Sequence, residues 1–222
     1  MKYYPVNLDI RNRRCLVVGG GSVGTRKVMT LLDCGAMVTV VSPTATEQLL
    51  KLARHKSITL KERHYQTTDL TGAFLVIGAT DNEKLNWRIH ADAERLGRLC
   101  NIADRPEICN FILPSVVNRG DMIIAISTSG ASPAFAKKMR EDLENEFGKE
   151  YGEFLQLMGA IRKKLLIKNH APESHKALFE KLINRGLLEM VRDGNKEDID
   201  HLLHRVLGRG YVFEALMEKK QG

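Results

Sequence analysis

The stretch VVGGGSVGTRK, residues 17–27, decides the fold of this 222-residue chain. The apolar run RCLVV at residues 14–18 leads into it, and apolar residues at helical spacing follow over about 22–35. A short apolar run that ends in glycines and opens a helix is typical of a strand–turn–helix unit. We therefore predict that a β-strand, a glycine turn and an α-helix follow one another here.

The glycines have the spacing G-x-G-x-x-G at Gly19, Gly21 and Gly24. In a strand–turn–helix unit, the first permits the tight turn, the second lets the backbone approach a pyrophosphate, and the third allows close helix–strand packing. The free amides of the first helical turn, which contains Ser22 and Val23, favour phosphate oxygens together with the helix dipole. The motif alone is often only a turn, but its context predicts a dinucleotide site.

Strand-like and helix-like segments alternate downstream of this turn. This alternation predicts an α/β fold with a Rossmann-type, doubly wound parallel sheet. Apolar runs without polar alternation fit strands that are covered on both faces. The predicted strands are 14–18, 37–43, 58–65, 73–78 and 99–104, the predicted helices are 22–35, 44–55 and 83–97, and two further strands fall within 110–120 and 122–128.

The character of the sequence changes after Pro133. Apolar residues then recur at intervals of three and four, and no β-rich run occurs. This spacing predicts a largely helical remainder, with one boundary near 113–115 and a second near 147–152. The predicted domains are 1–113, which carries the glycine turn, 114–150, and a small helical C-terminal domain over 151–222.

The composition is that of an ordinary globular protein, with 43% hydrophobic and 27% charged residues. No apolar run approaches the ~18 residues of a membrane span, and the N-terminus lacks a secretory signal pattern. We therefore expect a soluble, cytoplasmic protein with no membrane partner. The four cysteines form no C-x-x-C pair, which predicts free thiols and no built-in metal site.

The net charge of +7 raises the possibility of an anionic partner. Residues 1–120 contain 17 basic and 11 acidic residues, so most of the surplus lies there. No zinc finger, RNP motif or clear helix-turn-helix is visible, so we expect no nucleic acid. A dispersed surplus of this kind fits either a solvated surface or an anionic small ligand.

The end of the second predicted strand lacks a residue that NAD sites usually have. An acid normally binds the ribose hydroxyls there, but this chain has Ser42, Pro43 and Thr44. No arginine follows immediately, so there is no clear NADP signature either. We expect NAD, with hydroxyls and amides around Ser42 at the ribose. The fourth strand ends near Thr80, which fits either a nicotinamide ribose or an N-cap by Thr80 or Asp81.

Asp104 follows the fifth predicted strand and is the acid best placed to face a nicotinamide. A carboxylate there could take a proton while hydride leaves for the cofactor. The alternative is that Asp104 only caps a turn ahead of Pro106.

A hydroxyl-rich stretch, residues 127–133, lies between an apolar strand and a helix. Its amides and hydroxyls, including Ser127, Thr128 and Ser129, could bind carboxylates. The alternative is a plain N-cap by Ser132 ahead of a proline at the first helical position.

Three stretches together resemble one family. They are CLVVGGGSVGTRKVMTLLDCGAMVTVVSP, NIADRPEICNFILPSVVNRG and IAISTSGASPAFAKKMREDLE, which begin at residues 15, 101 and 124. They are similar to the precorrin-2 dehydrogenase/sirohydrochlorin ferrochelatase module of siroheme synthases, in order and spacing, over roughly residues 3–150. The last two stretches are far more specific than the glycine turn.

The resemblance implies that precorrin-2 loses hydride to NAD and a proton to the site, giving sirohydrochlorin. Members that also act as chelatases then insert ferrous iron to give siroheme. The resemblance makes Asp104 the catalytic residue and assigns residues 114–147 to a dimerisation region, so a homodimer is expected. The substrate-binding residues we associate with it are Asn110, Ser127, Thr128, Ser129 and Ser132.

Many members of this family have Ala where this chain has Gly24. We expect that difference to be harmless, because either residue permits close packing. Two other functions stay open. The chain could be a monofunctional dehydrogenase that relies on a separate chelatase, or a regulatory module that senses NAD without turnover.

Overall fold

Five parallel strands form the sheet that contains the glycine turn in the computed structural model, which describes residues 2–167 and 172–218. The strands are β1 Arg14–Gly20, β2 Met37–Ala45, β3 Thr59–Lys61, β4 Leu75–Gly78 and β5 Leu99–Ile102, and the helices between them are α1 Ser22–Asp33, α2 Glu47–Arg54 and α3 Glu83–Arg95. The strand order is β3-β2-β1-β4-β5. This order confirms the Rossmann-type, doubly wound sheet.

β1 lies at the centre of the sheet because its apolar residues do not alternate with polar ones. Leu16, Val17 and Val18 are all buried. Val17 packs in a cluster with Val28 of α1, whereas Leu16 and Val18 pack in a second cluster with Ile89 of α3. Burial on both faces is what a continuous apolar run requires of a parallel strand.

The start of α2 differs from the prediction. The helix predicted from residue 44 begins at Glu47, because β2 runs on to Ala45. Thr46 is the N-cap, and its Oγ1 accepts a hydrogen bond from the Leu49 N–H at 3.4 Å. The predicted ends of α1 and α3 were also two residues too late, as both helices stop before a glycine with positive φ.

The strand predicted over 58–65 was too long, since only Thr59–Lys61 pairs with β2. The chain then turns around the carboxylate of Asp69, whose side chain is 1% exposed. Lys61 Nζ donates to it at 3.0 Å, an Arg63 nitrogen at 2.6 Å and the Gln66 N–H at 3.0 Å. Lys61, at the end of β3, and Arg63, which the strand pattern placed in the sheet, both bond to this buried acid.

A two-stranded antiparallel hairpin and a set of helices follow residue 113. The hairpin strands are β6 Ser115–Arg119 and β7 Met122–Ile126, and the helices are α4 Pro133–Glu146, α5 Glu150–Ile167, α6 Pro172–Asn184, α7 Leu187–Arg192, α8 Lys196–Leu207 and α9 Phe213–Met217. The helices enclose a core that includes Leu157, Ile161 and Leu203. The helical character predicted after Pro133 is therefore confirmed for the described residues.

The chain divides into two compact units, one ending at Leu113 and the other beginning at Pro114. Within the second unit, the Arg119 guanidinium donates to the carbonyls of Phe147 and Glu144 at 2.7 and 2.8 Å, so β6 is joined to the end of α4. A further domain boundary near residue 150 stays a prediction. Among the described helices, none is long and apolar enough to cross a membrane.

Candidate functional site

The ends of β1, β4 and β5 lie side by side along what we call the carboxyl edge of the sheet. Past the last ladder pairs, the Ala79 N–H donates to the Val18 carbonyl at 2.7 Å, and the Ala103 N–H donates to the Gly78 carbonyl at 2.8 Å. The strand order reverses between β1 and β4, and ligands of open α/β sheets bind in the crevice at such a point. This edge is therefore the candidate site.

The first and third glycines of the motif are required by the fold itself. Gly19 has a φ of +115°, and a Cβ there would lie 2.1 Å from the Ala79 carbonyl oxygen. A Cβ on Gly24 would lie 2.1 Å from the Gly19 carbonyl oxygen. Glycine at position 24 fits the turn, but our reason that Ala would pack equally closely is wrong for this chain, because its Cβ would contact backbone of the turn rather than a side chain that could move.

Gly21 differs, since nothing in the protein requires a glycine there. Its backbone is extended, with φ −77° and ψ −171°, and an added Cβ would meet no atom within 4 Å. The first intrahelical bond of α1 runs from the Thr25 N–H to the Gly21 carbonyl, so the amides of Ser22, Val23 and Gly24 precede it. Open space beside a helix N-terminus with no acid in its first turn fits a pyrophosphate.

Ser42 supports the glycine turn from the end of β2. The residue is 7% exposed, and its Oγ accepts a hydrogen bond from the Gly20 N–H at 2.9 Å. The Thr46 N–H donates to the Gly20 carbonyl at 3.0 Å. Ser42 thus has a role within the fold, whereas Pro43 and Thr44 beside it are exposed and available to a ribose.

Thr80 lies at the end of β4 and is held by Asn86. The Thr80 Oγ1 donates to the Asn86 Oδ1 at 2.8 Å, and the Asn86 Nδ2 donates to the Thr80 carbonyl at 2.9 Å. The alternative that Thr80 or Asp81 caps α3 is wrong, because the N-cap is Asn82. Thr80 is therefore positioned at the carboxyl edge, next to the Gly19 turn, by a side chain from α3.

Asp104 is exposed in the turn that follows β5. Its φ of 61° lies in the left-handed region, and the Arg105 N–H closes the turn onto the Ile102 carbonyl at 3.3 Å. Burial and the Arg26 charge lower the pKa of Lys27 in α1, whereas the Asp104 carboxylate raises it. The charge of Asp104 therefore acts on the helix that begins at the glycine turn.

Asn110 does not reach the carboxyl edge. Its Oδ1 accepts from the Cys100 N–H at 2.7 Å, and its Nδ2 donates to the Arg98 carbonyl at 2.8 Å and to Glu94 Oε1 at 3.1 Å. These bonds place its side chain at the beginning of β5. Because both polar atoms of the amide are used there, the geometry does not support Asn110 as a substrate contact.

The hydroxyl-rich loop belongs to the second unit and is bonded largely within itself. Ser127 Oγ accepts from the Ser129 N–H at 3.1 Å, and Thr128 Oγ1 accepts from the Ser132 N–H at 3.2 Å. The N-cap alternative is confirmed for Ser132, whose Oγ accepts from the Phe135 N–H at 3.2 Å. Ser129 has a φ of 53°, so the loop presents a bend at its middle.

Sequence reasoning missed two residues of the carboxyl edge, Asn86 and Cys109. Asn86 is 6% exposed on the inner face of α3, and a polar residue three positions before the buried Ile89 was a signal that could have been noticed. The Cys109 thiol bonds to the backbone around Asp104, and no spacing in the sequence indicates this contact.

Burial disfavours the reactive thiolate form of the two other buried cysteines, Cys15 and Cys100. Burial raises the pKa of Cys15 to about 11 and that of Cys100 to about 12, so both stay protonated near neutral pH. Among the side chains that the structure describes, no group of three or more His, Cys, Asp or Glu residues could hold a metal ion.

Comparison with known proteins agrees with this geometry. A family model described as putative NAD(P)-binding matches residues 6–115, and one described as the central part of sirohaem biosynthesis proteins matches residues 119–146. Siroheme synthases of Nitrosococcus oceani and Nitrosospira multiformis are each 36% identical, over 96% and 93% of this chain. The chain spans about half the length of these relatives, 46% and 45%.

A solved structure, SirC, a precorrin-2 dehydrogenase, superposes with a TM-score of 0.78 at 26% identity. The match covers 92% of this chain and 99% of that one. The two family models match successive segments of the chain. The chain therefore belongs to the siroheme synthase family, whose NAD(P)-binding and central segments it contains.

Proposed function

We propose that this chain is an NAD-dependent dehydrogenase that converts precorrin-2 to sirohydrochlorin. The observation that carries the proposal is the carboxyl edge, where the glycine turn, Thr80 and Asp104 follow three adjacent strands. The SirC match supports the reaction class, because its printed name is precorrin-2 dehydrogenase and it covers nearly all of this chain.

Some residues of the carboxyl edge would bind the cofactor, and Asp104 would act on the substrate. The amides after Gly21 would hold the pyrophosphate, and Thr44 and Thr80 would contact the riboses. Bound NAD supplies a hydride acceptor. Asp104 is the general base that takes the proton lost by precorrin-2 in the same oxidation. NADH and one proton leave with sirohydrochlorin, so the reaction balances.

The basic surplus fits a polycarboxylate substrate. It lies mainly in residues 1–120, which contain the carboxyl edge. A positive field attracts both the pyrophosphate and the carboxylates of a tetrapyrrole. The Ser127–Ser132 loop stays a predicted substrate contact, through Ser127, Thr128 and Ser129.

We propose ferrous iron insertion into sirohydrochlorin as a second activity. Its support is that the relatives matched over most of this chain are named siroheme synthases. Iron enters as substrate and displaces pyrrole protons, which Asp104 could accept.

A homodimer is proposed from the hairpin. Val116, Ile123 and Ala125 share one exposed face of β6 and β7, together with Asn118. Val116 is 40% and Ile123 is 53% exposed. An uncovered apolar face on a two-stranded sheet is typical of an interface. A cytoplasmic location stays a prediction.

One anaerobic assay tests the proposed function. The protein is mixed with precorrin-2 and NAD, the tetrapyrrole spectrum and NADH absorbance are followed, and ferrous iron is then added. We expect NADH and sirohydrochlorin in equal amounts. NAD binding without turnover would instead indicate a regulatory module. Turnover without accelerated iron insertion would leave a monofunctional dehydrogenase.

A further inference from the structure

The turn that carries Asp104 adopts a backbone conformation that needs support. Asp104 occupies the third position of a turn from Ile102 to Arg105, at a φ of 61°. Aspartate tolerates this region better than most residues other than glycine, but it remains an uncommon conformation for a residue with a Cβ. Something in the surroundings must therefore favour this turn over other conformations of the same residues.

The thiol of Cys109 contacts both ends of that turn. Its Sγ accepts a hydrogen bond from the Ile102 N–H at 3.1 Å and lies 3.1 Å from the Arg105 carbonyl and 3.4 Å from the Ile102 carbonyl. The single S–H proton can be donated to either carbonyl. The Asn101 Nδ2 also donates to the sulfur, at 3.6 Å. One side chain thus binds the first and the last residue of the turn.

Other contacts of the turn are weaker or act at one end. The Ala103 N–H is fixed to the Gly78 carbonyl on β4. The Arg105 guanidinium pairs with Glu83 and Glu107, but all three side chains are well exposed, and exposed ion pairs contribute little. The thiol is half-buried, and its two bonds to Ile102 are partly buried, whereas its bond to the Arg105 carbonyl is exposed.

We propose that Cys109 is a positioning residue for Asp104, holding the Ile102–Arg105 turn so that the carboxylate stays at the carboxyl edge. The inference deepens the proposed function and rests on it for the role of Asp104. Burial also raises the pKa of the Cys109 thiol, which keeps it a protonated donor near neutral pH. Cys109 does not touch the substrate in this role; it acts through the backbone of the turn.

Three variants separate this role from simple packing. Cys109→Ala removes the donor and the acceptor, and Cys109→Ser keeps both on a smaller atom. Cys100→Ala is the matched control, because Cys100 is a fully buried thiol two residues before Ile102 and makes no side-chain bond to the turn. Removing a buried sulfur therefore costs packing in both alanine variants, but only Cys109→Ala releases the turn.

The experiment measures kcat and KM with precorrin-2 and NAD, together with amide hydrogen exchange by NMR. In Cys109→Ala we expect kcat to fall roughly tenfold or more, since small displacements of a reacting group have effects of this size, with KM for NAD within about twofold. Cys109→Ser restores most of kcat, and Cys100→Ala retains it. The amides of Ile102 and Arg105 exchange faster in Cys109→Ala, whereas those of β1 do not.

Two results would overturn the inference. One is unchanged kcat in Cys109→Ala; the other is an equal loss in Cys109→Ala and Cys100→Ala without rescue by serine. If the wild-type chain does not oxidise precorrin-2, the proposed function fails by itself. The exchange measurement then still decides whether Cys109 holds the turn, because unchanged rates at Ile102 and Arg105 would show that it does not.

Discussion

The backbone N–H of Gly20 donates to Oγ of Ser42 at 2.9 Å, although 22 residues separate them in the chain. Both residues are buried. The end of β2 is therefore fastened to the glycine turn at the point where the cofactor phosphates are proposed to bind. A buried donor that loses its acceptor costs about 1–3 kcal/mol, so this bond matters to both stability and the shape of the turn.

Ser42→Ala is expected to lower the free energy of unfolding by about 1–3 kcal/mol and to weaken NAD binding several-fold, because the turn loses its support. Urea unfolding and calorimetric titration with NAD measure the two effects. Ser57→Ala, at an exposed position, is the control and should change stability by less than about 0.5 kcal/mol. Normal NAD affinity in Ser42→Ala would mean that Ser42 contributes to stability but not to NAD binding.

Gly21→Ala and Gly24→Ala should affect different properties, the first NAD affinity and the second stability. The Cβ at position 21 meets no protein atom, whereas that at position 24 lies 2.1 Å from the Gly19 carbonyl oxygen. We expect Gly21→Ala to unfold normally but to bind NAD about tenfold more weakly, a loss of about 1.4 kcal/mol. Gly24→Ala should lose about 1–3 kcal/mol of stability. Thermal unfolding with and without NAD distinguishes them.

The predictable part of this site is the part that local sequence determines. The glycine turn follows from spacing and context, and Asp104 follows from its place after an apolar strand. The clash at Gly24 depends on how closely the Gly19 carbonyl approaches α1, which is a tertiary distance. The hydrogen bonds between Asn86 and Thr80 also join α3 to the end of β4. The distance between these two elements cannot be read from the spacing of residues in the sequence.

Long-range polar contacts explain the errors in the same way. Asn110 follows β5 in the chain but folds back along it, so its amide bonds to Cys100 and Arg98 at the beginning of β5 and not at the carboxyl edge. The segment 58–65 has strand propensity, but the burial of Asp69 draws it out of the sheet. In both cases, one buried or fully bonded polar group outweighs a local pattern.

Asp69→Asn should destabilise the first unit in a pH-dependent manner. Burial alone would raise the pKa of Asp69, but bonds from Arg63, the Gln66 N–H and Lys61 hold it well below its usual range. Because the native pKa is below the unfolded value of about 3.9, the ionised form stabilises the fold above that pH. This contribution is lost as the pH falls through the native pKa.

We expect Asp69→Asn to cost about 2 kcal/mol at pH 7, with the difference from wild type narrowing below about pH 4. Urea midpoints at a series of pH values measure this, and Asp33→Asn, at an exposed position, serves as the control. A cost that does not change with pH would mean that packing around Asp69, and not its charge, stabilises the segment.

Ile123→Lys should convert a homodimer into monomers, because it places a charge on the exposed apolar face of the hairpin. Ile183→Lys is a matched control, since both isoleucines are 53% exposed and Ile183 lies on α6. Light scattering after gel filtration gives the mass of each variant. A wild-type monomer, or an Ile123→Lys dimer, would mean that the hairpin face does not form the interface.

Asp104→Asn tests the central catalytic assignment. Asparagine tolerates the left-handed backbone as aspartate does, so the turn is kept while the proton acceptor is removed. We expect kcat for precorrin-2 oxidation to fall by about 10²-fold or more, with NAD affinity within about twofold of wild type. Asp81→Asn, an exposed acid that follows β4, should retain normal turnover. Single-turnover spectra of the tetrapyrrole separate chemistry from product release. If Asp104→Asn turns over at the wild-type rate, Asp104 is a turn residue, and the proton leaves by another route.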